Sequence, residues 1–152
     1  MADESPYGYT AFCDDIRFEL DDKQSLIGLY SSLMHAASFP LLLPKFAFYI
    51  TLMEPSSLAY KRDFSFTITI ELPGGEPDVP VIIQEIPAPD GGFHETPHPF
   101  TQERETLYIR TTHIIVTTGL IIKEPGLIKV RIRYGDEVIK CGTLAISPIP
   151  AV

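Results

Sequence analysis

The chain carries one arrangement with the spacing of a metalloprotease. His94-Glu95-Thr96-Pro97-His98 matches H-E-x-x-H. That pattern does chemistry only on a helix, where the two histidines one turn apart share a zinc and the glutamate activates its water. Pro97 lies inside the pentapeptide, Pro99 follows, and Gly91-Gly92 precedes it. Proline breaks a helix and pushes the residue before it out of the helical region. The preferred reading is therefore a polar loop with solvated histidines, and no catalytic zinc is expected.

A second group, Asp14, Asp15, Glu19, Asp21 and Asp22, gathers acid near the N-terminus. Calcium needs oxygens converging from one loop, with a D-x-D-x-D-G type of spacing. These residues lack it, and alternate side chains of a strand point to opposite faces. Asp21-Asp22-Lys23 reads as a hairpin turn. Asp14 interrupts the pattern by pointing the apolar way, so if buried it needs a partner such as Arg17 or backbone N–H groups. A bulge at Asp14-Asp15 would relieve the conflict. Asp14, Asp15 and Arg17 are thus expected to form a structural polar site.

The third group is basic. Lys129, Arg131 and Arg133 alternate along one segment, with Lys123 and Lys140 nearby. In a strand they form a stripe on one face. Such a stripe either meets an acidic protein surface or serves as a solvated outer face that discourages edge pairing. The solvated face is the simpler reading. His113, among Thr111, Thr112 and Ile114, reads as a structural histidine rather than a general base. There is no G-x-S-x-G elbow, P-loop or G-x-G-x-x-G. No catalytic residue and no cofactor is expected.

The elements that would position these groups are strands. Phe64-Ser65-Phe66-Thr67-Ile68-Thr69-Ile70-Glu71-Leu72 places every large apolar residue at an even position. Period two means one dry face and one wet face, which no helix could produce from this order. Strands are expected at 9–20, 24–33, 45–54, 64–72, 79–86, 106–118, 126–134 and 137–147. The second is apolar on both faces and should be central or covered. Residues 33–38 and 56–61 are each read as a short helical turn. Gly135-Asp136 makes a two-residue hairpin turn, and Glu124-Pro125-Gly126 a turn before it. Ser147-Pro148-Ile149-Pro150 closes the domain.

These features predict an all-β, Ig-like antiparallel β-sandwich of seven or eight strands. The expected organisation is a tail at 1–8, one domain at 9–147 and a tail at 148–152. Residues 73–99 hold seven prolines and two Gly-Gly pairs, and 87–105 contains no convincing strand. A long Pro/Gly-rich loop in a compact domain is where a partner is expected. The candidate partner-contact residues are Phe93, His94, His98 and Phe100 on that loop, with Lys129, Arg131 and Arg133 on the stripe.

The chain has 152 residues and a net charge of −8. An acidic chain repels phosphate backbones, so nucleic acid is not an expected partner. The acidic N-terminus lacks the apolar stretch of a secretory leader, and the longest apolar run, 46–53, is far too short to span a bilayer. A cytoplasmic protein with no membrane contact is expected. Cys13 and Cys141 should be free in that compartment. Absence of Trp tilts against a sugar platform.

The opening Phe12-Cys13-Asp14-Asp15-Ile16-Arg17-Phe18-Glu19, followed by Lys23-Gln24-Ser25-Leu26-Ile27-Gly28-Leu29-Tyr30 and Phe39-Pro40, resembles a small uncharacterised bacterial family. Its members show C-D-D-x-R-x-E, then K-x-S-L-I-G-x-Y, and close with an E-P-G segment like Glu124-Pro125-Gly126. The resemblance is firm over residues 11–54. It implies a β-sandwich of bacterial or phage origin and supplies no active site. The expected function is a non-catalytic protein-interaction or structural module, with a protein partner or a homo-oligomer. The alternative is a ligand-binding domain holding a metal ion or carbohydrate at the loop end of the sandwich.

Overall fold

Period-two sorting decides the core. In the segment that opened the strand argument, Phe66, Ile68 and Ile70 are buried to 1% exposure or less. The computed structural model describes residues 5–90 and 108–151. In chain order the elements are β1 (Tyr7–Cys13), β2 (Asp15–Phe18), β3 (Gln24–Ile27), β4 (Leu33–Ala36), β5 (Leu41–Pro55), α1 (Ser56–Ala59), β6 (Phe66–Glu71), β7 (Ile82–Ile86), β8 (Tyr108–Ile122), β9 (Gly126–Tyr134) and β10 (Glu137–Pro148).

Two sheets face each other. One has the order β1-β5-β8, and the other β4-β10-β9-β6-β7. All their pairings are antiparallel except β4 with β10, which is parallel. The inward residues of β5, Phe46, Phe48, Ile50 and Leu52, meet Ile68 and Ile70 of β6, Ile128, Val130 and Ile132 of β9, and Leu144 and Ile146 of β10. Each such side chain contributes about 1.5–3 kcal/mol through removal from water. Phe12, Tyr30, Phe46 and Phe48 add tilted and edge-to-face ring contacts with centroids 5.1–6.5 Å apart. The chain crosses from β5 to β6 and β7, back to β8, then to β9 and β10. The role of a first strand is split between β1, beside β5, and β4, beside β10. This is the connectivity of an immunoglobulin-like sandwich. Among the described residues, no helix is long and apolar enough to cross a membrane.

Several expected strands needed correction. The segment 9–20 breaks at Asp14. There the chain leaves β1, and the Asp14 N–H donates to the Ile27 carbonyl at 2.9 Å. Residues 15–27 form a separate two-stranded ribbon, β2-β3. The segment 24–33 is therefore neither one strand nor central. Gly28 has φ +68 and ends β3, and Leu29 is 63% exposed. Residues 33–36 are not a helical turn but β4, captured by the edge of β10. A bulge does occur, but at Cys141-Gly142, where the β9–β10 register shifts between Lys140 and Thr143 and Gly142 has φ +105. The hairpin at Gly135-Asp136 is as expected, with Tyr134 opposite Glu137.

The ribbon folds over the outer face of β5. Ile16 and Leu26 pack on Cys13, Ala47, Tyr49 and Ile114. Lys45 pairs with Asp15 at 2.5 Å, and the Tyr49 hydroxyl donates to Gln24 at 3.1 Å. Gly28 is the hinge of this arrangement, because a Cβ there would run into the Asp14 carboxylate. The left-handed backbone alone costs a side chain about 1–2 kcal/mol. Gly28→Ala should therefore lower unfolding free energy by at least that amount in urea titrations. Hydrogen exchange should rise in β2-β3 before it rises in β5.

Candidate functional site

Lys129, Arg131 and Arg133 stand on β9 with buried Ile128, Val130 and Ile132 between them. Alternation therefore sends all three cations to the outer face of the five-stranded sheet. The register adds a fourth, since Lys140 of β10 lies directly opposite Arg131. On the other side Arg131 faces Thr69, Arg133 faces Thr67 and Lys129 faces Glu71, all on β6. Like charges directly across a ladder are unfavourable, so the Lys140–Arg131 pair is a local electrostatic cost. Among the described residues the ion pairs are Lys23–Asp21, Lys45–Asp15 and Arg62–Glu54. None involves these four cations. Arg131 does donate through Nη1 to the Val130 carbonyl at 2.9 Å.

A cavity of about 300 Å³ opens on this face, lined by Thr69, Asp78, Pro80, Arg131, Arg133 and Val138 among others. Val138 is 59% exposed and lies opposite Arg133. Two guanidinium groups and a hydroxyl thus share one concavity with the carboxylates of Glu71 and Asp78 and the apolar Val138. Guanidinium forks suit carboxylates, which they grip through paired N–H donors. A second cavity of about 330 Å³ lies between the turns after β6 and before β9, lined by Glu71, Glu76, Asp78, Glu124 and Lys129 among others. Among the described residues, no three His, Cys, Asp or Glu side chains converge as a metal site.

The N-terminal polar group serves the ribbon. Asp14 is exposed, not inward, and its partner is Tyr30 rather than Arg17. The Tyr30 hydroxyl donates to Asp14 Oδ1 at 2.6 Å, and burial together with this bond pushes the phenol up to about 12. Asp15 accepts from the Ile16 N–H at 2.8 Å, and the bond from Lys45 holds its carboxyl below the ordinary range. Arg17 is exposed on β2 opposite Ser25. The strand break at Asp14 turns this residue outward and removes the reason to bury it. Phe93, His94, His98 and Phe100 lie outside the described residues.

One polar cluster escaped the sequence reading. Glu54 is fully buried, and its Oε1 accepts from Arg62 Nε and from the Tyr134 hydroxyl, each at 2.8 Å. Arg62 also donates to the Phe64 carbonyl at 3.0 Å and lies over the Phe66 ring, 5.0 Å from its centroid. Glu54 Oε2 is buried with no partner. His113 packs edge-on against Phe66, with ring centroids 5.4 Å apart, and its Nε2 lies 3.3 Å from the Thr111 hydroxyl. Desolvation holds its imidazole below 6.5, with Glu54 opposing and Arg62 reinforcing the shift. A signal for this cluster was present. Glu54 continues the even-numbered inward series 46, 48, 50 and 52, and Tyr134 continues 128, 130 and 132.

The fold and this outer face define an immunoglobulin-like sandwich with a cationic stripe on its five-stranded sheet. The chain belongs to a family of unknown function, DUF6941, whose profile matches residues 8–147. That agrees with the uncharacterised family expected from the opening motif. No curated protein and no solved structure matches the chain.

Removing one partner of a buried ion pair strands the other charge. Arg62→Met should destabilise by about 3–5 kcal/mol, and adding Glu54→Gln should recover part of that loss in denaturant titrations. His113 gives a pH dependence of known sign. Its folded value lies below 6.5, so the unfolded chain takes up the proton first as pH falls. The stability His113 confers is intact above 6.5 and is lost as pH drops from there toward the folded value. Between pH 7.5 and pH 5.5, His113→Gln should lose less stability than the parent chain.

Proposed function

We propose that this chain is a non-catalytic, Ig-like protein-interaction module of bacterial or phage origin, working in the cytoplasm or within a particle. It receives an acidic segment of a protein partner on the outer face of β9 and β10. The observation that carries this reading is a set of four cations that take part in none of the ion pairs among the described residues, with Glu71 facing Lys129 alone, on a chain whose net charge is −8. A solvated face would serve solubility equally well with acidic side chains, as the rest of this chain does. Arg131 and Arg133 are two residues apart, a separation of about 7 Å along a strand. Alternate carboxylates of an extended acidic peptide repeat at the same distance. Glu71, Glu85 and Asp78 border the cations, so the face accepts only a short acidic segment and no continuous polyanion.

The test is a titration with a labelled peptide of alternating Glu and Val, followed by fluorescence anisotropy at two salt concentrations. Binding should weaken by about 10- to 100-fold in Arg131→Glu/Arg133→Glu, and should fall with added salt in the parent chain. Equal affinity for the parent and the double variant, or equal affinity for a Lys/Val peptide, would discard the reading.

A further inference from the structure

The two cavities on the five-stranded sheet share a wall. The one of about 300 Å³ on the β9 face and the one of about 330 Å³ at the loop end both include Glu71 and Asp78. Their charges differ. The first sets Arg131 and Arg133 against those two carboxylates. The second sets Glu71, Glu76, Asp78 and Glu124 against Lys129 alone. The joint groove therefore runs from a cationic end to an acidic end. Its opposite charges do not satisfy one another, since none of these side chains takes part in the ion pairs among the described residues. Even Glu71 and Lys129, directly across the β6–β9 ladder, form no such pair. Apolar side chains flank the charges. Val138, 59% exposed, lies opposite Arg133 on one side, and Ile83, 65% exposed, lies opposite Thr69 on the other.

We infer, resting on the reading of β9 and β10 as a receiver of acid, that the partner's segment inverts its charge. Its acidic residues meet Arg131 and Arg133, its apolar residues meet Val138 and Ile83, and a lysine follows that meets Glu71, Asp78 and Glu124. Charge complementarity selects this occupant. A wholly acidic segment that runs past the arginines meets four carboxylates, and a wholly basic one meets the arginines themselves. The step between the two ends is short. Arg131 is two residues from Lys129, which faces Glu71 one strand away. Two residues along a strand and one strand across place Arg131 about 8 Å from Glu71, a span of two or three extended residues. Each cavity alone stands at the lower limit of a small-molecule pocket, about 300 Å³. The two in series, with apolar flanks, suit an extended chain. Glu71 and Asp78 are thus specificity residues, which end the acidic run and set where the basic residue comes.

Fluorescence anisotropy on the whole chain provides the test, with two labelled peptides of equal length, Glu-Val-Glu-Val-Lys-Val-Lys and Glu-Val-Glu-Val-Glu-Val-Glu. The parent should bind the inverting peptide about 3- to 10-fold more tightly than the all-acidic one. The variant is Glu71→Gln/Asp78→Asn, since Asp78 has φ 59, a conformation that asparagine tolerates. Checked for an unchanged circular dichroism spectrum and melting temperature, it should weaken the inverting peptide and strengthen the all-acidic one. Loss of fold cannot move the two affinities in opposite directions. Suppose the parent binds the all-acidic peptide as tightly as the inverting one, and Arg131→Glu/Arg133→Glu abolishes that binding. The acid-receiving face then stands and the inversion is overturned. Binding of neither peptide overturns both. Displacement of the inverting peptide by free lysine or glutamate, at the peptide's own affinity, would assign the groove to a small zwitterion and also overturn the inversion.

Discussion

β5 is the strand on which the rest of the molecule depends. It pairs with β1 on one side and β8 on the other, and its inward side chains form the middle of the core. Its outward side chains Ala47 and Tyr49 carry the ribbon. From Phe46 to Pro55 no residue of it is exposed. The requirement shows in its sequence, which puts bulky aromatics on the inner side and small or amphipathic residues on the other. Any change that tilts β5 moves the sandwich core, the ribbon and the edge strand β8 together.

Legibility in the sequence followed the strength of that two-residue pattern. β6, β9 and β10 were readable because their apolar residues alternate cleanly and turns of defined chemistry bound them. β5 and β8 run on past the alternating stretch that marks them, because their ends carry Leu41, Leu42, Ile121 and Ile122, where alternation lapses. The region 14–36 departs from its own periodicity for a physical reason. Its apolar residues serve two small packing sites rather than one sheet, so local periodicity there did not describe a single strand. Only the conflict at Asp14 hinted at the departure of the chain from β1. Gly28, the other half of that junction, looks unremarkable as a letter and acquires meaning only through its backbone angle.

The basic stripe was fully visible as a face, because strand parity is enough to align three cations. What parity could not give was the fourth member, Lys140, which depends on the β9–β10 register, or the acids beside the stripe, Glu71 opposite Lys129 and Asp78 in the cavity. The Glu54–Arg62–Tyr134 group is the reverse case. Its positions obeyed the inward parity, yet a charged residue on a dry face looks like the end of a strand until its partners are known. Arg62 comes from the connection after α1, which no periodic argument can orient. Burying this pair contributes little net stability. What it does fix is the geometry where that connection enters the sandwich, since Arg62 bridges the Glu54 carboxylate, the Phe64 carbonyl and the Phe66 ring.

The two cysteines lie on opposite sides of the same sheet. Cys13 sits beneath the ribbon with Ala47, whereas Cys141 belongs to the main core beside Gly8. Burial pushes the Cys141 thiol up to about 11 and raises that of Cys13 as well. Both sulfurs are sealed from solvent and stay protonated at physiological pH, so neither offers the thiolate that peroxide, glutathione or a stray metal would attack. The architecture is thereby chemically deaf to its redox surroundings. Neither sulfur would register the difference between a living cell and a lysate left open to air.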